Sequence, residues 1–188
     1  MVKRTLLVVL LFASLVMLGP TFVEADPTIS APFLTVGVGD TFTIPISIAG
    51  AADLTSWQFD LSFSPAIVQA NSVTEGPFMS AFGTTLFSPG VTDNGAGLIS
   101  LVTDAYVDLE PNPSGDGILA DIEFTALSPG VSPLTFSNVF LNLVDSGFDI
   151  GNGQITVTGA AKIPEPATLM LLTAGLALLS GIRLAKRR

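Results

Sequence analysis

Trp57-Gln58-Phe59-Asp60-Leu61-Ser62-Phe63 alternates large apolar side chains with polar ones at every step. A period of two is the mark of a strand with one face buried, and aromatic and aliphatic residues suit that pleated surface. Trp57, Phe59, Leu61 and Phe63 are therefore assigned to a core, and Gln58, Asp60 and Ser62 to the opposite face. Ser64-Pro65 closes the run, because proline offers no amide donor to a ladder.

The same period recurs on both sides. Residues 41–48 set Phe42, Ile44, Ile46 and Ile48 against Thr41, Thr43, Pro45 and Ser47; Pro45 predicts an edge strand or a bulge. Ile118, Ala120, Ile122, Phe124 and Ala126 oppose Leu119, Asp121, Glu123 and Thr125. Further strands are expected over 33–36, 68–73, 98–103, 134–143 and 154–158, the longest changing phase near Asn138, where a bulge would switch its inward face. No segment between Asp26 and Ala161 keeps a helical period. About eight or nine short strands broken by Gly, Pro, Asn and Asp predict an all-β domain over 26–161, a sandwich or jelly roll. No repeat of fixed length points to a solenoid or propeller.

Charge is distributed unusually. All seven basic residues lie near the ends: Lys3, Arg4, Lys162, Arg183, Lys186, Arg187 and Arg188. Removing Glu24 and Glu165 from the sixteen acids leaves fourteen between Asp26 and Ala161, with no side-chain cation among them. No side-chain ion pair can form there, so stability must come from apolar burial and backbone ladders. Such a surface repels nucleic acid and anionic lipid. Cysteine and histidine are absent from the whole chain.

That composition excludes most catalysis within the domain. Ser-His-Asp and Cys-His arrangements, Schiff-base lysines and histidine-bound zinc all lack their residues. A two-carboxylate glycosidase would have to draw on Asp60, Asp104, Asp108, Glu110, Asp121 or Glu123. No spacing brings two of them to a cleft, and the domain reads as non-catalytic. For sugar stacking, Tyr106 is the candidate exposed aromatic, with a buried tyrosine whose hydroxyl is satisfied as the equal alternative. No organic cofactor is expected. Calcium is the one metal considered, on Asp145, Asp149 and Asn152 in a loop rich in oxygen ligands, although the spacing departs from the EF-hand pattern and suits an ordinary Asx-Gly turn.

The ends read as addresses. Lys3 and Arg4 precede an apolar run and the Gly19-Pro20 break, and Val23-Glu24-Ala25 offers small residues to a signal peptidase. Residues 1–25 are thus expected to be a signal peptide cleaved between Ala25 and Asp26. At the other end, Pro164-Glu165-Pro166 stands before sixteen uncharged residues, 167–182, and then a basic tail. That run would cover roughly 24 Å as a helix, a little short of a typical hydrocarbon core, and Leu184 and Ala185 extend it if Arg183 snorkels toward the headgroups. Arg183, Lys186, Arg187 and Arg188 would stop transfer and stay cytoplasmic.

Residues 162–188 resemble the PEP-CTERM sorting signal of Gram-negative bacteria, on the Pro164-Glu165-Pro166 motif, the transmembrane helix and the basic tail. The resemblance implies anchoring in the membrane, processing by an exosortase near the motif, and delivery to the cell surface or extracellular matrix, where such proteins accompany polysaccharide and biofilm.

The order of landmarks in the middle carries a second resemblance. Val38-Gly39-Asp40-Thr41-Phe42 leads to the Trp57–Pro65 stretch, then Val68-Gln69-Ala70 and Val73-Thr74-Glu75-Gly76, then Gly117-Ile118-Leu119-Ala120-Asp121-Ile122-Glu123-Phe124 and Leu134-Thr135-Phe136-Ser137-Asn138-Val139. This is similar to a cohesin domain, a jelly-roll β-sandwich related to carbohydrate-binding folds. Cohesins bind dockerin modules through a flat sheet face, and the resemblance makes Gln58, Asp60 and Ser62 candidate partner contacts. The expected function is a surface-sorted binding or structural domain for a polysaccharide or surface-protein partner. A dedicated carbohydrate-binding protein and the two-carboxylate glycosidase are the alternatives.

Overall fold

A computed structural model describes residues 26–109 and 111–159. In chain order the elements are β1 (Thr28–Ser30), β2 (Phe33–Gly37), β3 (Thr41–Ala51), β4 (Ser56–Ser62), β5 (Val68–Glu75), one helical turn α1 (Pro77–Ser80), β6 (Val91–Asp93), β7 (Leu98–Ala105), β8 (Gly115–Ala126), β9 (Gly130–Leu141), β10 (Asp149–Gly151) and β11 (Gly153–Thr158). The signal segment and the sorting segment lie outside the described residues. Among the described residues, no helix is long and apolar enough to cross a membrane.

The strands form two sheets, ordered β10-β1-β3-β8-β5 and β2-β11-β9-β4-β7-β6. Their inner faces share one core. Ile44, Ile46, Ile122 and Phe124 come from the first sheet, and Phe59, Leu61, Ile99 and Leu134 from the second. Aromatic rings reinforce the core: Phe63 meets Phe124 of the other sheet edge-on at 5.4 Å between ring centres, and within the six-stranded sheet Phe59 of β4 meets Phe136 of β9 edge-on at 5.5 Å. Contacts of this geometry add about 1 kcal/mol each beyond their buried area. Trp57 stacks on Phe59 at 5.4 Å, as their shared inward phase requires.

The described residues hold eleven strands rather than eight or nine. Three of them, β1, β6 and β10, have only three residues each, too few for alternation to show. β1 and β10 pair in parallel in one sheet, and β2 and β11 pair in parallel in the other, so both chain segments change sheet together, at Ala31-Pro32 and at Asn152.

Pro45 is accommodated as its missing donor demands. β3 lies between β1 and β8, but β1 reaches only Ser47–Ala49, so beside Pro45 one edge of β3 is unpaired. A register shift follows at once, between Ile46 and Ser47. On β8 that irregularity leaves Leu119 unmatched and buried while Ile118 is only half-buried. The expected inward phase of Ile118 is therefore displaced by one residue, although it holds from Ala120 to Ala126.

Asn138 sits at the expected bulge. Between Gln58–Phe140 and Asp60–Ser137 pairing, β9 carries one more residue than β4, and Asn138 has φ of 49°. A second bulge on the other side was not legible in sequence. Between Phe59–Val102 and Leu61–Ile99, β7 carries one more residue than β4, and Leu101 has φ of 57°.

Candidate functional site

The outer face of β4 is where the two bulges meet. Asp60 lies between them with both carboxylate oxygens engaged. Its Oδ1 accepts a 2.7 Å bond from the Leu101 amide, and its Oδ2 accepts a 2.6 Å bond from the Asn138 side-chain amide. Asp60 is only 7% exposed. Alternation turns it outward, yet the bulging strands close over it and make it a tie between β7 and β9. Ser62 donates to the Thr135 carbonyl at 3.2 Å and Gln58 donates to the Asn138 carbonyl at 3.5 Å, both remaining half-buried at the surface.

Beside this tie the same face opens into a groove of about 400 Å³. Pairing sets its floor: Thr103, Gln58 and Phe140 form one row across β7, β4 and β9, and Ala105 lies opposite Ser56. Leu86 and Leu143 form its walls and are 66% and 84% exposed. Each wall is held from behind by backbone bonds. The amide of Leu86 donates to the Ala105 carbonyl at 2.8 Å. Leu143, at φ 64°, follows Asn142, whose side-chain oxygen accepts from the Thr55 amide at 2.7 Å. Nothing in the sequence marked Leu86, Phe140 or Leu143 as groove residues. Leu86 stands in a loop without alternation, and Leu143, expected at the end of the 134–143 strand, lies beyond β9, which ends at Leu141.

Charge separates the two outer faces. On the five-stranded sheet, Asp121 and Glu123 point outward between Pro45, Thr43 and Thr74. The groove on the other sheet is lined by uncharged residues except Asp104, and Asp104 is 2% exposed. Apart from the buried Asp104, the recess is uncharged and partly apolar.

Asp104 pairs with Trp57 in register and shares its inward direction, so it stands between the sheets below the groove. Its Oδ1 accepts from the Ala105 amide at 2.8 Å, while its Oδ2 and Trp57 Nε1 are buried without hydrogen-bond partners. Burial, and then the charge of Glu75 from β5, pushes the Asp104 carboxyl up from 3.8 to about 6. Glu75 in turn accepts a 2.6 Å bond from the Thr85 hydroxyl.

The remaining candidates do not assemble into chemistry. Asp121 and Glu123 lie on the sheet opposite Asp60, and Asp108 accepts from the Thr84 amide at 2.5 Å. Glu110 lies outside the described residues. Tyr106 is half-buried against the core and donates to the Phe82 carbonyl at 3.1 Å, the second of its two expected states, and Trp57 is 2% exposed. In the proposed calcium loop, Asp145 and Asp149 are exposed, but the Asn152 side-chain oxygen accepts from the Phe136 amide at 3.0 Å and closes the β10–β11 corner. Among the described residues, no cluster of three or more potential metal-ligating side chains occurs. Ala25, Pro164, Glu165, Pro166, Arg183, Lys186, Arg187 and Arg188 lie outside the described residues, and Asp26 is exposed at their start.

The chain matches the cohesin domain family over residues 28–162. No curated protein sequence matches it. Solved structures show the same fold at low identity. A non-cellulosomal cohesin from Archaeoglobus fulgidus is 22% identical, with a TM-score of 0.56 over 71% of this chain and 92% of that one. A cohesin from a type I cohesin–dockerin complex of Clostridium thermocellum is 14% identical, with a TM-score of 0.59 over 73% and 96%. A cohesin from a type II cohesin–X-dockerin complex of Acetivibrio cellulolyticus is 18% identical, with a TM-score of 0.58 over 72% and 100%. With the family match covering most of its length and two packed sheets behind it, this chain belongs to the cohesin domain family.

Proposed function

We propose that the protein is a non-catalytic docking domain that receives a protein partner on the outer face of β9, β4 and β7. The observation that carries this reading is the neutral groove between Leu86 and Leu143 in a domain that otherwise displays acids. Concave sites lined by apolar groups with a few polar ones are the usual form of a binding site. The two solved relatives in complexes carry dockerins, which makes a dockerin-type partner the first to test. Glycan stacking has less support, because Trp57 is buried and Tyr106 packs onto the core.

The ends complete the proposal. The sequence of 1–25 and the PEP-CTERM resemblance of 162–188 support export, membrane anchoring through the C-terminal helix, exosortase processing near Pro164-Glu165-Pro166 and display in an extracellular polysaccharide matrix. Cell fractionation with the mass of the mature protein tests this half.

The docking half is tested by calorimetric titration of the protein with a panel of dockerin domains. The wild type is expected to bind at least one member, and Leu86→Asp and Leu143→Asp to weaken that binding by about tenfold or more while melting remains cooperative. Failure of the wild type to bind any, or binding indifferent to both changes, refutes the reading.

A further inference from the structure

The buried carboxyl of Asp104 and the half-buried one of Glu75 lie beside one wall of the groove, and the docking reading makes no use of them. Residues 84–88 run along β7 as an irregular outer strand. The amides of Leu86 and Ser88 donate to the Ala105 and Thr103 carbonyls, each at 2.8 Å, and Thr85 bridges to Tyr106. Leu86 faces the groove, while Phe87 turns inward against Trp57 at 6.2 Å between rings. The side-chain tether of this segment to the opposite sheet is the Thr85 hydroxyl, which donates to Glu75 Oε1 at 2.6 Å.

Glu75 also faces Asp104. Ionising the buried Asp104 beside the Glu75 carboxylate is costly, and Asp104 Oδ2 has no donor from the protein. A proton on Asp104 satisfies both conditions, because the acid then donates to Glu75. The other groups around the pair offer no substitute. β4 contributes the neutral Trp57, the 84–88 segment contributes Thr85, and the loop beyond β7 contributes Tyr106, whose hydroxyl is engaged with Phe82, and Asp108, which is engaged with Thr84. No cation occurs between residues 26 and 161.

We propose that a proton on Asp104, hydrogen-bonded to Glu75, locks the Thr85 tether and with it the Leu86 wall, so that the groove is closed up in mildly acidic surroundings and loosens as the pair becomes doubly ionised. The chain of contacts is Asp104, Glu75, Thr85, Leu86, and each link is between neighbours. The elevated Asp104 pKa places the change in a range that extracellular water can cross. This regulation rests on the docking reading for its use, but the motion itself needs no partner.

The test therefore uses the full-length protein alone. Hydrogen exchange at the Leu86 and Ser88 amides, corrected for intrinsic rates, is measured at about pH 5 and about pH 7.5 beside the emission of Trp57, the single tryptophan. Protection at both amides is expected to fall about tenfold at the higher pH, with the emission titrating near pH 6. Asp104→Asn and, independently, Glu75→Gln should abolish the pH dependence of both. Protection that is equal at the two pH values in the wild type, or a pH dependence surviving in both variants, overturns the proposal. Because neither readout involves a partner, these results are independent of whether any dockerin binds.

Discussion

The Asn138 side-chain amide donates a 2.6 Å hydrogen bond to Asp60 Oδ2, joining a β9 bulge to the strand that it bends around. The other oxygen of Asp60 holds Leu101 in the facing bulge of β7. One carboxylate thus fixes the register of three strands, and the groove is built on those strands. Asp60→Ala is expected to remove both bonds and leave the Leu101 amide without its acceptor. Charge-assisted bonds of this kind contribute about 1.5–3 kcal/mol each, so a loss of about 3–4 kcal/mol in urea denaturation is expected. A loss below about 0.5 kcal/mol would show that the bulges hold themselves.

Leu101 has φ of 57° and is 55% exposed, a conformation that suits asparagine far better than leucine. Leu101→Asn is expected to raise stability by up to about 1 kcal/mol in the same denaturation assay. If Leu101 extends the docking face, the same change weakens partner binding, so that stability and affinity move in opposite directions.

Asp104 predicts an inverted pH dependence for an acidic side chain. In the unfolded chain it ionises near its ordinary value of 3.8, whereas in the fold burial and then Glu75 hold the proton until about pH 6. Between those values the folded state binds more protons than the unfolded one, so stability falls as pH rises through the window and stays at the lower level above it. Asp104→Asn is always neutral and escapes that fall. Its stability relative to wild type should improve by about 2–3 kcal/mol between about pH 4 and about pH 7, measured by urea unfolding at each pH.

Fourteen acids without a basic side chain should make the fold sensitive to salt. Self-repulsion is relieved as the Debye length shrinks from about 30 Å near 10 mM to about 4–5 Å near 500 mM sodium chloride. A rise of several degrees in melting temperature over that range is expected for a domain of this size, where about 1 kcal/mol moves the midpoint by about 3–6 °C. A flat or falling midpoint would mean that the acids lie too far apart to repel.

Much of the architecture was readable from local pattern. Trp57, Phe59 and Leu61 are buried as their alternation implied, Asn138 marks a bulge where the phase of β9 changes, and Pro45 occupies a locally unpaired edge beside a register shift. These features depend on the period of two and on the missing proline amide, which act within a few residues. Asp60 escaped the same reasoning. Its phase is outward, yet it is withdrawn from solvent by a β7 bulge 41 residues away and by Asn138, 78 residues away. The Leu86 and Leu143 walls escaped it too: Leu86 stands outside any periodic run, and the 134–143 run that includes Leu143 stops as a strand at Leu141.

By itself the sequence determined a strand-built domain, most of its core residues, its uniformly acidic charge and the lack of residues for nucleophile–base chemistry between 26 and 161, because each follows from residue type and nearest neighbours. Only the tertiary structure decided that Asp60 ties strands together, that a partly apolar groove lies on one face, and that Asp104 confronts Glu75. Those outcomes depend on strand order, on bulge positions and on how the two sheets overlie one another, and such long-range juxtapositions leave no periodic trace along the chain.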